Sequence, residues 1–223
     1  MKPRAAMILE QLGLVNFERV CRESDAGFAI KVALVKRYQL ARLTATYEDL
    51  LQDPRYADAC RFFLNDLYGL EDHSLRDAQF ARIVPALSRL FPADVVTTVE
   101  SLARLHAVSE RLDSEMARHV MGPVLAPADY ARAWKRTGQF ELRALQLDLL
   151  LAVGSAMQLY TKRPWMRHVL RSMRGPANIA GLAALQNFLE RGFEIFSSMP
   201  EADKFLLQIA QRETRYARLL FDD

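Results

Sequence analysis

Three polar side chains, His106, Ser109 and Asp113, fall on a helical stripe that is otherwise apolar, made by Leu102, Leu105, Leu112 and Met116. Offsets of three and four residues place them on one face. A histidine and a carboxylate inside a protein can pass a proton, and burial perturbs both. Arg212 and Glu213 interrupt a second stripe, that of Phe205, Ile209, Tyr216 and Leu220. Asp66 lies at the edge of a third. An unpaired buried charge is costly, so Asp66, His106, Asp113, Arg212 and Glu213 are expected to find one another or open onto water. Arg212 in particular is expected to be mostly buried against Asp66, Asp113 or Glu213. The plain form of such a cluster is structural salt bridges. Its chemical form is a polar pocket with Asp113 or Glu213 perturbed in pKa and His106 carrying protons. Metal ligation by His106 and Asp113 is not expected, because seven residues along a helix separate them by about 10 Å.

The strongest charge bias lies elsewhere. From Leu149 to Leu189 there is no acidic residue, while Arg163, Arg167, Arg171 and Arg174 follow one another at offsets of four, four and three. That spacing keeps all four arginines on one helix face, with Trp165, Val169 and Met173 expected to turn inward. The strip is either a solvated outer face or a surface for an anionic partner, an acidic protein or nucleic acid. Base reading is not expected of it, since it carries no outward amides and no helix-turn-helix pattern.

Familiar catalytic signatures are missing. The sequence has no Glu-x-x-His pair, phosphate-cradling glycine loop, Cys-x-x-Cys pair or Gly-x-Ser-x-Gly elbow. No cofactor and no metal are expected. The two cysteines, Cys21 and Cys60, fit no metal spacing and read as reduced thiols. The net charge of +3 in 223 residues gives no general case for nucleic acid. No signal peptide is expected, and the longest greasy run, Leu145 to Ala156, is broken by Gln146 and Asp148. A cytoplasmic location is expected.

The elements that must position these residues are all helical. Periodicity near 3.6 recurs along the chain and no stretch alternates with period two for long. A short lead-in, residues 1–23, precedes a single domain, residues 24–223. Its first helix is expected from Ser24 to about Leu51. A central helix follows from Pro54 to Tyr68, capped by Asp53 and closed by a left-handed Gly69. Ser74 opens the next, with a kink or break at Pro85. Pro92 starts a long helix to about Val120, and Pro127 a short one through Trp134. From Gly138 to about Tyr160 runs a second central helix, apolar on both flanks, with Gln139, Arg143 and Gln146 on one polar line. Pro164 to Met173 is short. A helix with small residues at Ala177, Gly181 and Ala184 follows, and the last begins at Pro200 and ends in Asp222-Asp223. The expected fold is an all-α single-domain bundle of eight or nine mostly antiparallel helices.

The segments Arg61-Phe62-Phe63-Leu64-x-Asp66-Leu67-Tyr68, Arg76-Asp77, Leu112-Asp113 and Arg212-Glu213 resemble an uncharacterised family of proteobacterial helical proteins, a domain of unknown function. The resemblance spans about residues 24 to 220. It implies a bacterial cytoplasmic protein of one helical domain and brings no activity, ligand or catalytic residue with it.

Three functional readings follow, in order. The first is a non-enzymatic interaction or regulatory module that uses helix faces to bind a protein partner or a second copy of itself. The second is a small-molecule binder or enzyme with an interior polar pocket. The third is a nucleic-acid or other anion binder using the helix of residues 163–174.

Overall fold

Proline, glycine and Asx punctuation divides the chain into more helices than its periodicity suggests. The computed structural model describes residues 3–70 and 73–222; Asp223 and the side chain of Asp222 lie outside them. The helices are α1 (Pro3–Glu23), α2 (Ala26–Thr46), α3 (Glu48–Gln52), α4 (Ala57–Phe62), α5 (Ser74–Leu90), α6 (Ala93–Arg118), α7 (Pro127–Thr137), α8 (Phe140–Thr161), α9 (Pro164–Ser172), α10 (Arg174–Ile179), α11 (Ala183–Ser198) and α12 (Ala202–Asp222). A π-helical turn, Phe63–Tyr68, extends α4. There is no strand among the described residues, and the fold is all-α.

The excess over eight or nine helices has local causes. Asp25, not Ser24, caps α2, accepting a hydrogen bond from the Phe28 amide at 3.0 Å. Asp53 spends its side chain on Arg55 rather than on a helix, so the central helix starts at Ala57 instead of Pro54. Gly181 is left-handed, with φ +67°, and splits the expected small-residue helix into α10 and α11. α5 passes through Pro85 without ending.

The long helices make the frame. α2 runs antiparallel to α6: Lys36 meets Glu110 while Phe28, earlier in α2, meets Arg118, later in α6. α8 also runs antiparallel to α6, tied by Thr98 to Tyr160 at one end and Ser109 to Gln146 further along. α12 lies on the other side of α8, where Gly154 makes room for Leu206: a Cβ on Gly154 would stand 2.6 Å from the Leu206 side chain. Residues 3–23 form a full helix packed along α6, with Ala5, Ile8 and Leu12 buried beside Val84, Val96 and Ala103.

Among the described residues α8 has the length and apolar content of a membrane span, longer than its central greasy run. Its flanks here face α6, α11 and α12. It is central, as its two apolar flanks imply.

The π-helical turn replaces the simple end expected at Gly69. The Gly69 amide reaches back five residues to the Leu64 carbonyl at 3.0 Å. Gly69 is not left-handed, its φ being 6°. Glycine is required for room: a Cβ there would lie 2.1 Å from the Asn65 carbonyl oxygen. Gly69→Ala should therefore cost about 1–3 kcal/mol, the usual range for forced overpacking. Urea denaturation measures it, and unchanged stability would contradict the assignment of this close approach.

Candidate functional site

The interior is built around α6. Glu110, buried, accepts from Lys36 at 2.6 Å and pairs with Arg22, drawing α2 and α1 onto the same carboxylate. One turn earlier, His106 sits between two carboxylates, with Nε2 3.7 Å from Glu110 and Nδ1 3.6 Å from Asp77. Asp77 on α5 is also held by Arg19 and lies 3.5 Å from Arg76. Burial works against the charge on Glu110, but His106, Lys36 and Arg22 outweigh it and hold its pKa far below the carboxylate range.

One turn later, Asp113 is only 1% exposed. It accepts from Gln39 Nε2 at 2.8 Å and from the Tyr68 hydroxyl at 3.3 Å, and among the described residues no cation pairs with it directly. Burial therefore pushes its pKa up, with Glu110 adding to the rise and Lys36 and Arg143 opposing it. Two carboxylates one turn apart thus have opposite environments. Burial, and then Asp113, also raise the Tyr68 hydroxyl.

Arg143, in the first turns of α8, completes this interior. It is 7% exposed and has no ion-pair partner among the described residues. Its contacts are the Met116 sulfur at 3.8 Å and the face of Trp134, 3.9 Å from the ring centroid. Burial lowers its pKa.

These groups border a cavity of about 430 Å³ that α6 and α8 line together with α2, the π-helical turn, α5, α11 and α12. Its polar wall includes His106, Ser109, Glu110, Asp113, Arg143 and Tyr68. Its apolar wall includes Val99, Leu102, Leu105, Leu147, Leu150 and Phe188. Several of these apolar side chains are only half-buried although they point into the bundle, because they border empty space. Near Phe140 and Arg218, both exposed, the cavity reaches the surface between α8 and α12.

Of the five interior residues expected from sequence, the structure places His106, Asp113 and Glu213 on this cavity. Glu213 meets Arg42 at 2.7 Å and the Tyr47 hydroxyl at 2.7 Å. Arg212 is a correction. It turns toward α3 and binds Asp49 at 2.6 Å and the Thr46 carbonyl, with a quarter or more of its side chain exposed (29%). Successive residues on a helix point about 100° apart, and here Glu213 takes the inward direction, toward Arg42, while Arg212 takes the one toward α3. Asp66 is also elsewhere, paired with Arg191 at 3.0 Å, because the π-helical turn changes the direction of every side chain it carries.

The basic strip has neighbours. Arg163 pairs with Asp94 at 2.8 Å, Arg174 with Glu190 at 2.7 Å, and Arg167 donates to the Ser197 hydroxyl, while Arg171 is exposed. Asp94 and Glu190 lie outside the acid-free stretch and reach it only through the fold. Val169 is half-buried, but Trp165 and Met173 are 40% and 45% exposed; Met166 is the residue of α9 that fills the core. The short α9 ends at Ser172, so Met173 no longer follows its inward face.

Sequence reasoning missed Glu110, Lys36, Gln39, Arg42, Asp77 and Tyr68. A signal existed for three of them: Lys36, Gln39 and Arg42 recur every third residue beside the apolar stripe of α2. Among the described residues no group of three or more metal-ligating side chains comes together.

The residues that line this interior extend from Leu12 to Arg218, and one family model matches residues 18–223, which takes in all of them but Leu12. The chain belongs to that family, a domain of unknown function (DUF8198). No curated protein and no solved structure is significantly similar to it. The family match thus takes in only the last turns of α1, residues 18–23, but these include both arginines that α1 sends to α5 and α6.

Two outcomes test the electrostatics. Glu110→Ala strands Arg22 and Lys36 in the interior and should cost about 3–5 kcal/mol in urea denaturation, the range for breaking a buried pair. Asp113→Asn should act in the opposite sense at neutral pH. A carboxyl whose folded pKa is raised contributes stability that is complete below its unfolded pKa and is lost as pH rises through the folded value. The variant should therefore gain on the parent as pH rises from about 4, near the unfolded aspartate value, toward 7. Parallel stability curves for the two proteins would refute the raised Asp113.

Proposed function

We propose that the protein binds a small, largely apolar molecule in the cavity between α6 and α8. The observation that carries this reading is the cavity itself, about 430 Å³ in volume, with apolar walls and a few converging polar groups. Ligand sites have this size and character, whereas well-packed bundles leave few voids larger than a water molecule. The arrangement of the polar groups supports binding more than catalysis. His106, Glu110 and Asp77 are engaged with one another and with the cations around them, and among the described residues no nucleophile stands beside a free base. Helix-face interaction and anion capture by residues 163–174 have weaker support, since Asp94 and Glu190 already answer two of the four arginines.

A neutral environment-sensitive dye, N-phenyl-1-naphthylamine, tests the reading without favouring any charge. The parent should bind it at one site per chain with enhanced fluorescence. Leu105→Trp, which crowds the apolar wall of the cavity, should weaken binding at least tenfold while keeping the helical circular dichroism. No binding by the parent, or equal binding by both folded proteins, would overturn the proposal.

A further inference from the structure

The apolar wall explains why a molecule would enter the cavity but leaves open what marks its polar end. Arg143 supplies that mark. It is more than nine-tenths buried, borders the cavity, and has no carboxylate and no oxygen acceptor among the described residues. A guanidinium offers five donors, and a sulfur and an aromatic face satisfy few of them. Its position sharpens the point. Arg143 stands in the second turn from the start of α8, the end at which the helix dipole is already positive. Gln139, the residue before α8, makes no side-chain cap there.

The surrounding charges do not cancel it. Arg19, Arg22, Lys36 and Arg76 share Asp77 and Glu110, so the two carboxylates of the cluster are already taken. Asp113 is the remaining acid near Arg143, and it is bound to Gln39 and Tyr68 instead. Since burial favours its neutral form, its carboxyl can stand beside an incoming anion and donate to it. Trp134 Nε1, on the cavity beside Arg143, also lacks a hydrogen-bond partner among the described residues. The end of the cavity at Arg143 is rich in donors and short of acceptors.

We infer that the ligand is an apolar chain with a carboxylate head, the head held by Arg143 and the chain lying along Leu105, Leu147 and Leu102. This rests on the binding reading above and adds the charge and polarity of the ligand. A carboxylate matches the guanidinium fork with two parallel hydrogen bonds, and the apolar wall accepts the chain without a polar partner.

Displacement of N-phenyl-1-naphthylamine by three probes of equal chain length separates the two claims. Decanoate should displace the dye from the parent about ten- to a hundredfold more strongly than decanol, the range for a hydrogen bond to a charged group. Decylammonium should be the weakest. Arg143→Gln should keep dye and decanol binding and reduce decanoate to the level of decanol. If decanoate and decanol compete equally with the parent, the carboxylate assignment is overturned while the cavity reading stands. If the dye itself does not bind, both fall. Should Arg143→Gln not fold, the ranking of the three probes on the parent decides the matter alone.

Discussion

One carboxylate, that of Glu110, holds the first half of the fold together. It lies on α6, yet its partners come from α1 and α2. Three helices are thereby fixed in register at one depth. The cost of burying Glu110 is met only because Arg22, Lys36 and His106 arrive together, which makes their placement cooperative. The pair of Asp77 with Arg19 repeats the device one turn away and adds α5. The bundle is apolar along most of its length and pinned by charge at its middle.

That pinning has a consequence for the interior. Side chains that end in fixed ion pairs cannot relax into the space between α6 and α8, and the cavity is bordered on one side by groups held elsewhere. On the other side Leu105, Leu147 and Leu150 leave the space unfilled. Asp113 and Arg143 face this region without a direct partner of opposite charge. Buried charges with no opposite charge beside them are unfavourable for stability.

The helical class was legible because the 3.6-residue pattern is nearly continuous. Finer boundaries were not, since they turned on side-chain choices such as Asp53 binding Arg55 rather than capping. His106 and Asp113 were legible as polar residues on a greasy stripe. Glu110, between them in the chain, was hidden because it neighbours Ser109 and Arg111 and reads as part of a charged surface. Arg143 showed as one member of a polar line on α8, with nothing in the sequence to say that its partner would be a tryptophan face. Arg212 and Glu213 illustrate a general ambiguity: the sequence does not say which of two adjacent charges on one stripe points inward, and here the positions of Arg42 and Asp49 select between them. Neutralisation of the basic strip by Asp94 and Glu190 is a long-range fact with no local trace.

The π-helical turn at Phe63–Tyr68 carries one residue more than an α-helix of the same closure. The extra residue sits in the closing turn of the α4 segment, just before Gly69. Removing a single residue there would restore the ordinary ladder and rotate all that follows by about 100°. Tyr68 would leave Asp113, and Leu67 would leave the cavity wall. Most bundles absorb a one-residue length change in their connections; this one has placed it in the wall of its own interior, where chain length and cavity shape become the same quantity.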